Sequence, residues 1–279
     1  MRALGVDVGG KDRKDLDVVL LDGDRQVLAV GSRVPVSRLG ALLADHRPDI
    51  VCIDSPPAWA PAGARSRLAE RELKLVGIQA YYTPDKTSGE ESAFYDWMRN
   101  GMAAFSAAER AGFGRYRAGA LARHAVEVFP HASATVLAGC LAPAGQRASA
   151  KRTWRAAVLT AQHVPIRQLQ TLDQVDAALC ALTGIIALEI GDPFAPGASD
   201  EGRIVLPARV VPASGYRRCV PASTPMQPLI KVCACGCGNE IRSGRDFRPG
   251  HDRKLMVQLQ RAVADGDRAP AELDRRGWT

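Results

Sequence analysis

Four aspartates in this 279-residue chain stand where acidic side chains can do chemistry. Asp7 directly follows the apolar run ALGV, and Asp54 directly follows VCI. Asp173 and Asp176 are three apart in LQTLDQVDAALCAL. Residues three apart on a helix share a face. If that helix packs across a sheet carrying Asp7 and Asp54, four carboxylates converge. So many like charges are tolerated in a protein interior only when cations neutralise them, and an all-oxygen donor set selects hard divalent ions such as Mg²⁺ or Mn²⁺. Two such ions about 4 Å apart activate a water, orient a phosphodiester and stabilise its leaving oxygen. Each aspartate also has an ordinary structural role open to it. Asp7 and Asp54 can open turns, and Asp173 can cap the helix. Asp176, one turn further in on an alanine-rich face, has less claim to a capping role.

A second constellation lies near the C-terminus. Cys233, Cys235 and Cys237 in CACGCG, followed by His251 in FRPGHD, offer three thiolates and one imidazole. That is enough to close a tetrahedral structural Zn²⁺ site. The spacing differs from a paired CxxC, and Cys219 is a substitute for one of the three. A module this small has little core of its own, so zinc would supply much of its stability. Its Arg242, Arg245, Arg248, Arg253 and Lys254 would then form a surface for a nucleic-acid backbone. Cys52, Cys140 and Cys180, scattered in apolar surroundings, read as buried thiols rather than a disulfide framework.

The elements that must position these residues are legible in outline. ALGVDVGG, DLDVVLLDGD and RQVLAVGSRVPV read as three strands, antiparallel, with DGD as a hairpin turn. SRLGALLADHRP has helical spacing and ends at a proline, and DIVCIDSP is a short buried strand. RSRLAERELKLV and ESAFYDWMRNGMAAFSAAERAG read as amphipathic helices of an insertion or cap. HAVEVFPHAS reads as a further strand, KRTWRAAVLTAQHV as a basic helix, and LQTLDQVDAALCALTGIIALEIGD as a long helix packed on the sheet. GRIVLPARVV is a possible edge strand within a loosening, proline-rich stretch.

Three early strands opening on GVDVGG, a fourth at VCIDSPP and a late helix with DQVDA resemble the RNase H-like superfamily, and the DxxD pair resembles the RuvC style of resolvase. More narrowly, IDSPPAWAPAG, RELKLVGIQAYYTP, FYDWMRNGM, VEVFPHAS and DQVDAALCAL are similar to the predicted RNase H-like nucleases catalogued as domain of unknown function 429, over roughly residues 3–189. The resemblance implies an α/β fold, a mixed sheet with its first three strands antiparallel and flanked by helices, to which the residues themselves add a helical insertion and the small C-terminal zinc module. It implies that Asp7 bridges the metals, with Asp54, Asp173 and Asp176 as further ligands and Glu127 as an additional acidic candidate. GVDVGG also resembles the opening of actin-like sugar kinases. Those proteins duplicate the domain and carry further phosphate and adenosine motifs not found here.

With 46% hydrophobic and 24% charged residues the chain has ordinary globular composition. Its formal net charge of +7 favours an anionic partner, with nucleic acid foremost. Lys11, Arg65, Lys74, Lys151 and Arg152, with Arg71 and Arg155 beside them, are candidates for a phosphate-contacting rim. The basic residues from Arg65 onward are expected on helices. No stretch reaches the roughly 20 apolar residues of a membrane span, so the expected setting is cytoplasmic, without a membrane partner. The expected organisation is a nuclease domain over 1–205, a linker over 206–230, a zinc module over 231–263 and a polar tail over 264–279. The leading expectation is a metal-dependent nuclease acting on DNA or RNA, with a homodimer as a possible assembly. The alternatives are an inactive nucleic-acid-binding or adaptor protein and an ATP-dependent phosphotransferase.

Overall fold

The structure is a computed structural model that describes residues 1–9, 15–144, 147–219, 231–233, 235, 237, 240–241, 247 and 250–264. Lys11, the expected linker residues 220–230, the arginines at 242, 245 and 248, and the tail beyond 264 lie outside the described residues. The chain divides into two compact units, Met1–Cys219 and Val220–Thr279.

The first unit is built on strands β1 (Arg2–Val8), β2 (Asp15–Asp22) and β3 (Val27–Pro35). They pair antiparallel. Between β2 and β3 the chain turns with Arg25 in the left-handed region at φ 62°. Helix α1 (Leu39–His46) leads to β4 (Ile50–Asp54), which pairs parallel with β1. Helices α2 (Leu68–Leu75), α3 (Lys86–Glu91) and α4 (Asp96–Arg110) are inserted before the short strand β5 (Gly114–Arg115) and β6 (His124–Glu127). The sheet order is β3-β2-β1-β4-β6-β5, with β4, β6 and β5 parallel. This is the mixed sheet, its first three strands antiparallel and helices beside it, that the family resemblance implies.

The strand expected over HAVEVFPHAS stops at Glu127, and α5 (Pro130–Ala138) begins with Pro130 in its first turn. A proline there lacks only an amide that no helical partner would use, and its fixed φ starts the helix. Helices α6 (Ala148–Ala161) and α7 (Leu172–Ile190) complete the layers. The possible strand in GRIVLPARVV is reduced to a small hairpin of β7 (Gly197–Ala198) and β8 (Gly202–Arg203). Ile204 then makes one parallel bridge to Glu127 at the sheet edge.

The strands alternate between two cores. Ala3, Val19, Leu21, Ile50, Cys52 and Val126 face α7, while Leu4, Val6, Val18, Leu20, Val51 and Ile53 face α4 and α1. By the same alternation Asp7, Asp17 and Asp54 fall on the α7 face. Helix α7 lies close because Gly5 has no side chain: a Cβ there would stand 1.9 Å from the Ala177 carbonyl oxygen. Residues 206–219 pack with this unit. Leu206 and Tyr216 are buried with Ala69 and Leu73 of α2. Cys140 and Cys219 form a disulfide across 79 residues of sequence, which corrects the reading of Cys140 as a buried thiol and removes Cys219 as a zinc ligand. Cys52 and Cys180 are buried free thiols.

In the second unit, strands β9 (Lys231–Val232) and β10 (Glu240–Ile241) pair antiparallel, and α8 (His251–Ala264) follows.

Candidate metal centre

The sheet register brings the acidic residues together. Asp7 pairs with Asp54 in the parallel β1–β4 ladder and with Asp17 in the antiparallel β1–β2 ladder. Carboxylate oxygens of Asp7, Asp17 and Asp173 lie within 4.8 Å of one another. Asp173 and Asp176 project from the first turns of α7. Thr171 caps this helix, accepting a hydrogen bond at 3.1 Å from the Gln174 amide, and Gln174 returns a bond to the chain at Thr171. Asp173 is therefore not the N-cap residue, and its carboxylate joins the acidic cluster instead.

The electrostatics follow from burial and crowding. Burial, then the charges of Asp54, Asp176, Asp173 and Asp17, push the Asp7 carboxyl well above the usual carboxylate range. Asp54 is raised in the same way by burial and Asp176, with Arg155 opposing. Asp176 is raised to about 6, chiefly by burial, although its ion pair with Arg155 of α6 pulls the other way. Asp176 Oδ2 takes the Arg155 bond, whereas its buried Oδ1 has no hydrogen-bond partner. A crowded carboxylate set with an orphaned, inward oxygen fits a hard divalent cation. Asp7, Asp17 and Asp173 are the residues whose oxygens stand close enough together to hold it, while Asp54, beside Asp7 in the ladder, and Asp176, one turn along α7, lie outside that close group and add to its negative field.

Asp17 was not among the sequence candidates. The available signal is an acid set within the apolar part of DLDVVLL, between Leu16 and Val18, which are both buried. Asp17 itself is only 2% exposed. Glu127 is engaged elsewhere. It alternates with Val126 and Val128, which face α7, and both its oxygens accept bonds from Arg67, at 2.7 and 2.6 Å. Arg67 Nε also donates to Glu70 at 2.9 Å, and Glu70 accepts from the Thr83 amide at 2.9 Å. This buried network supports one wall of a cavity of about 280 Å³ that Asp54, Glu127, Arg67 and Arg155 line.

The basic candidates scatter. Arg65 is exposed in the turn before α2 rather than on a helix. Lys74, on α2, stands 5.8 Å from the Tyr82 ring centroid and lines neither cavity of this unit described here. Arg152 donates to the Leu169 carbonyl at 2.7 Å and ties α6 to the segment before α7. Arg71 donates to the Ser66 carbonyl at 2.7 Å. Lys151 lines a larger cavity of about 430 Å³ together with Arg155, His131 and Arg218.

In the second unit the donor atoms of Cys233, Cys235, Cys237 and His251 all lie within 4.8 Å of one another. The Cys233–Cys235 sulfurs are 3.4 Å apart, and His251 Nδ1 is 3.1 Å from Cys235 Sγ and 3.4 Å from Cys237 Sγ. A tetrahedron with Zn–S bonds of about 2.3 Å has edges of about 3.8 Å between sulfurs. Three thiolates and one imidazole in this arrangement fit Zn²⁺.

Two solved structures are similar to this chain at 16% identity and a TM-score of 0.37: Thermus thermophilus RuvC, matching 68% of this chain and 98% of that one, and T. thermophilus RuvC in complex with Holliday junction substrate, matching 68% and 97%. No curated protein matches the sequence. Residues 5–201 match a family described as "Protein of unknown function (DUF429)". That match spans most of the first unit and more than half of the chain, so the protein belongs to the DUF429 family.

Proposed function

We propose that the protein is a metal-dependent nuclease that hydrolyses phosphodiester bonds of DNA or RNA. The observation that carries this reading is the clustering of the Asp7, Asp17 and Asp173 carboxylates within 4.8 Å of one another, with the charges of Asp54 and Asp176 acting on Asp7 and Asp176 Oδ1 buried and unpartnered. Mg²⁺ or Mn²⁺ held there supplies charge neutralisation, polarisation of a phosphoryl oxygen and activation of water. The protein's own residues have distinct tasks. Asp7, between Asp17 and Asp54 in the sheet, is the central donor. Asp173 and Asp176 approach from α7, and Arg155 orients Asp176 by holding Oδ2 and leaving Oδ1 turned inward. The second unit contributes a zinc-held frame for nucleic-acid contacts, with Cys233, Cys235, Cys237 and His251 as ligands.

The test is cleavage of labelled single-stranded, duplex, hybrid and branched substrates with Mg²⁺ or Mn²⁺, comparing the wild type with Asp7→Asn. Cleavage that depends on the cation and falls at least about a hundredfold in the variant supports the reading; a loss of about a hundred- to a thousandfold is what removing one principal electrostatic contributor to a transition state costs. Cleavage retained in Asp7→Asn overturns it. Binding that persists in EDTA, with no cleavage under any of these metals, favours a binding or adaptor role instead.

A further inference from the structure

The cavity of about 430 Å³ beside the acidic centre has a different chemistry from that centre. Its size falls in the range of about 300–1,000 Å³ typical of small-molecule sites. Three cationic side chains line it, Lys151, Arg155 and Arg218, and none of the described lining residues carries a carboxylate. Neither Lys151 nor Arg218 forms an ion pair with a carboxylate among the described residues. Burial, then the charges of Arg155, Lys151 and Arg218, push the His131 imidazole down to about 4, so it stays neutral at pH 7. Aromatic side chains line the same cavity, with Trp154 on α6 between Lys151 and Arg155. The His131 ring stands 5.7 Å from Phe129 and 6.2 Å from Trp154, and Tyr81 at the mouth is 70% exposed.

This chamber adjoins the smaller cavity, which Asp54 of the acidic centre lines. Ala80, Tyr81, Phe129 and Arg155 line both cavities. Arg218 is held at the wall by backbone pairing: the Leu141 amide donates to the Arg217 carbonyl at 2.8 Å, and the Cys219 amide donates to the Leu141 carbonyl at 2.8 Å. The Cys140–Cys219 disulfide closes the same pair of segments. Cationic side chains beside aromatic ones match a phosphate joined to a flat heterocycle, because cations take the phosphate oxygens and any base can stack on an aromatic face.

We propose that this chamber seats one unpaired nucleotide of the substrate strand, with its phosphate on Lys151 and Arg218 and its base against Trp154 and Phe129, next to the phosphodiester at the acidic centre. The substrate class is thus single-stranded or locally unpaired nucleic acid, since a base within a duplex is stacked on its neighbours and cannot turn its face to a side chain. The inference deepens the nuclease reading and rests on it for the identity of the strand.

The binding site itself is tested without cleavage. Isothermal calorimetry on the full chain in EDTA compares 5′-AMP, adenosine and inorganic phosphate, on wild type, Asp7→Asn, Lys151→Ala, Arg218→Ala and Trp154→Leu, with thermal melts as folding controls. AMP should bind more tightly than either fragment. Lys151→Ala and Arg218→Ala, at exposed side chains, should each weaken AMP about tenfold, as loss of a charge-assisted hydrogen bond does. Trp154→Leu should weaken AMP while leaving inorganic phosphate unchanged, and Asp7→Asn should bind AMP no more weakly than wild type. A single-stranded oligonucleotide should displace AMP where a blunt duplex of the same sequence does not. Absence of AMP binding at millimolar concentration overturns the proposal, as does phosphate binding as tightly as AMP, or displacement by duplex as readily as by single strand. AMP binding that obeys these rules in a protein that cleaves nothing would defeat the nuclease reading while leaving the nucleotide chamber standing.

Discussion

At the scale of the residue, the acidic centre sets protonation against metal binding. In the metal-free protein Asp7 and Asp54 titrate well above the usual carboxylate range and Asp176 near 6, whereas the unfolded chain titrates near 4. Between those values the folded state holds protons that the unfolded state has lost. Its stability from these groups is present at acid pH and is lost as pH rises through the folded values. A bound divalent cation removes that penalty by neutralising the carboxylates. The melting temperature of the metal-free protein should therefore fall from pH 5 to pH 8 relative to Asp176→Asn, and the rise produced by added Mn²⁺ should grow with pH. A Mn²⁺ effect of the same size at pH 5 and pH 8 would show that the cation acts elsewhere. Arg67 makes a second residue-scale case. It is 1% exposed and neutralises both Glu127 and Glu70. Arg67→Ala leaves two buried carboxylates without their cation and should destabilise the fold by about 3–5 kcal/mol in denaturant titrations. A loss below about 1 kcal/mol would mean that the network is hydrated and dispensable.

At the scale of the element, the site depends on how closely α7 lies against β1. Gly5 shares the face of Ala3 and Asp7, and its missing side chain lets the helix backbone approach. Gly184 does the same further along α7, where a Cβ would stand 2.4 Å from Cys52 Sγ. At Gly5 the obstruction is backbone, which cannot swing aside as a side chain can. Gly5→Ala should cost at least about 2 kcal/mol and should also lift Asp173 and Asp176 away from Asp7, weakening Mn²⁺ binding measured by calorimetry. A variant with wild-type melting and wild-type Mn²⁺ affinity would show that the helix has room to shift without consequence. The alanine-rich stripe of α7 is legible as a packing face in the sequence. Its partner surface is visible only once the strands are paired.

At the scale of the whole molecule, two compact units carry two unlike donor sets, hard carboxylates in one and soft thiolates with an imidazole in the other. Each should answer to its own cation. The full chain should contain about one Zn²⁺ by elemental analysis, as a closed four-donor set predicts. Cys235→Ala should lose it, together with the helical signal of α8, while the melting transition of the first unit stays in place. Zinc content unchanged by Cys235→Ala would refute the ligand set. The acidic centre should keep its Mn²⁺ response in the same variant, because none of its ligands lies beyond Asp176.

Much of the fold was legible locally. Apolar runs bounded by turn residues marked the first four strands, helical spacing marked α1, α6 and α7, and strand-end placement singled out Asp7 and Asp54. The spacing of Asp173 and Asp176 put both at the start of one helix, and CACGCG with His251 named the sulfur-rich cluster. These features rest on periodicity and on contacts between near neighbours, which a chain encodes in its order. Other features depend on register and on closing long loops. Asp17 joins Asp7 only through the antiparallel pairing of β1 with β2, and Glu127 is taken from the acidic set by Arg67, 60 residues earlier. Arg155 reaches Asp176 across two helices, and Cys140 finds Cys219 over 79 residues. The sequence by itself determined which residues have the chemistry to hold metals and which elements carry them. Only the tertiary structure decided which of those residues meet, because partners distant in the chain are chosen by the packing of whole elements rather than by any local pattern.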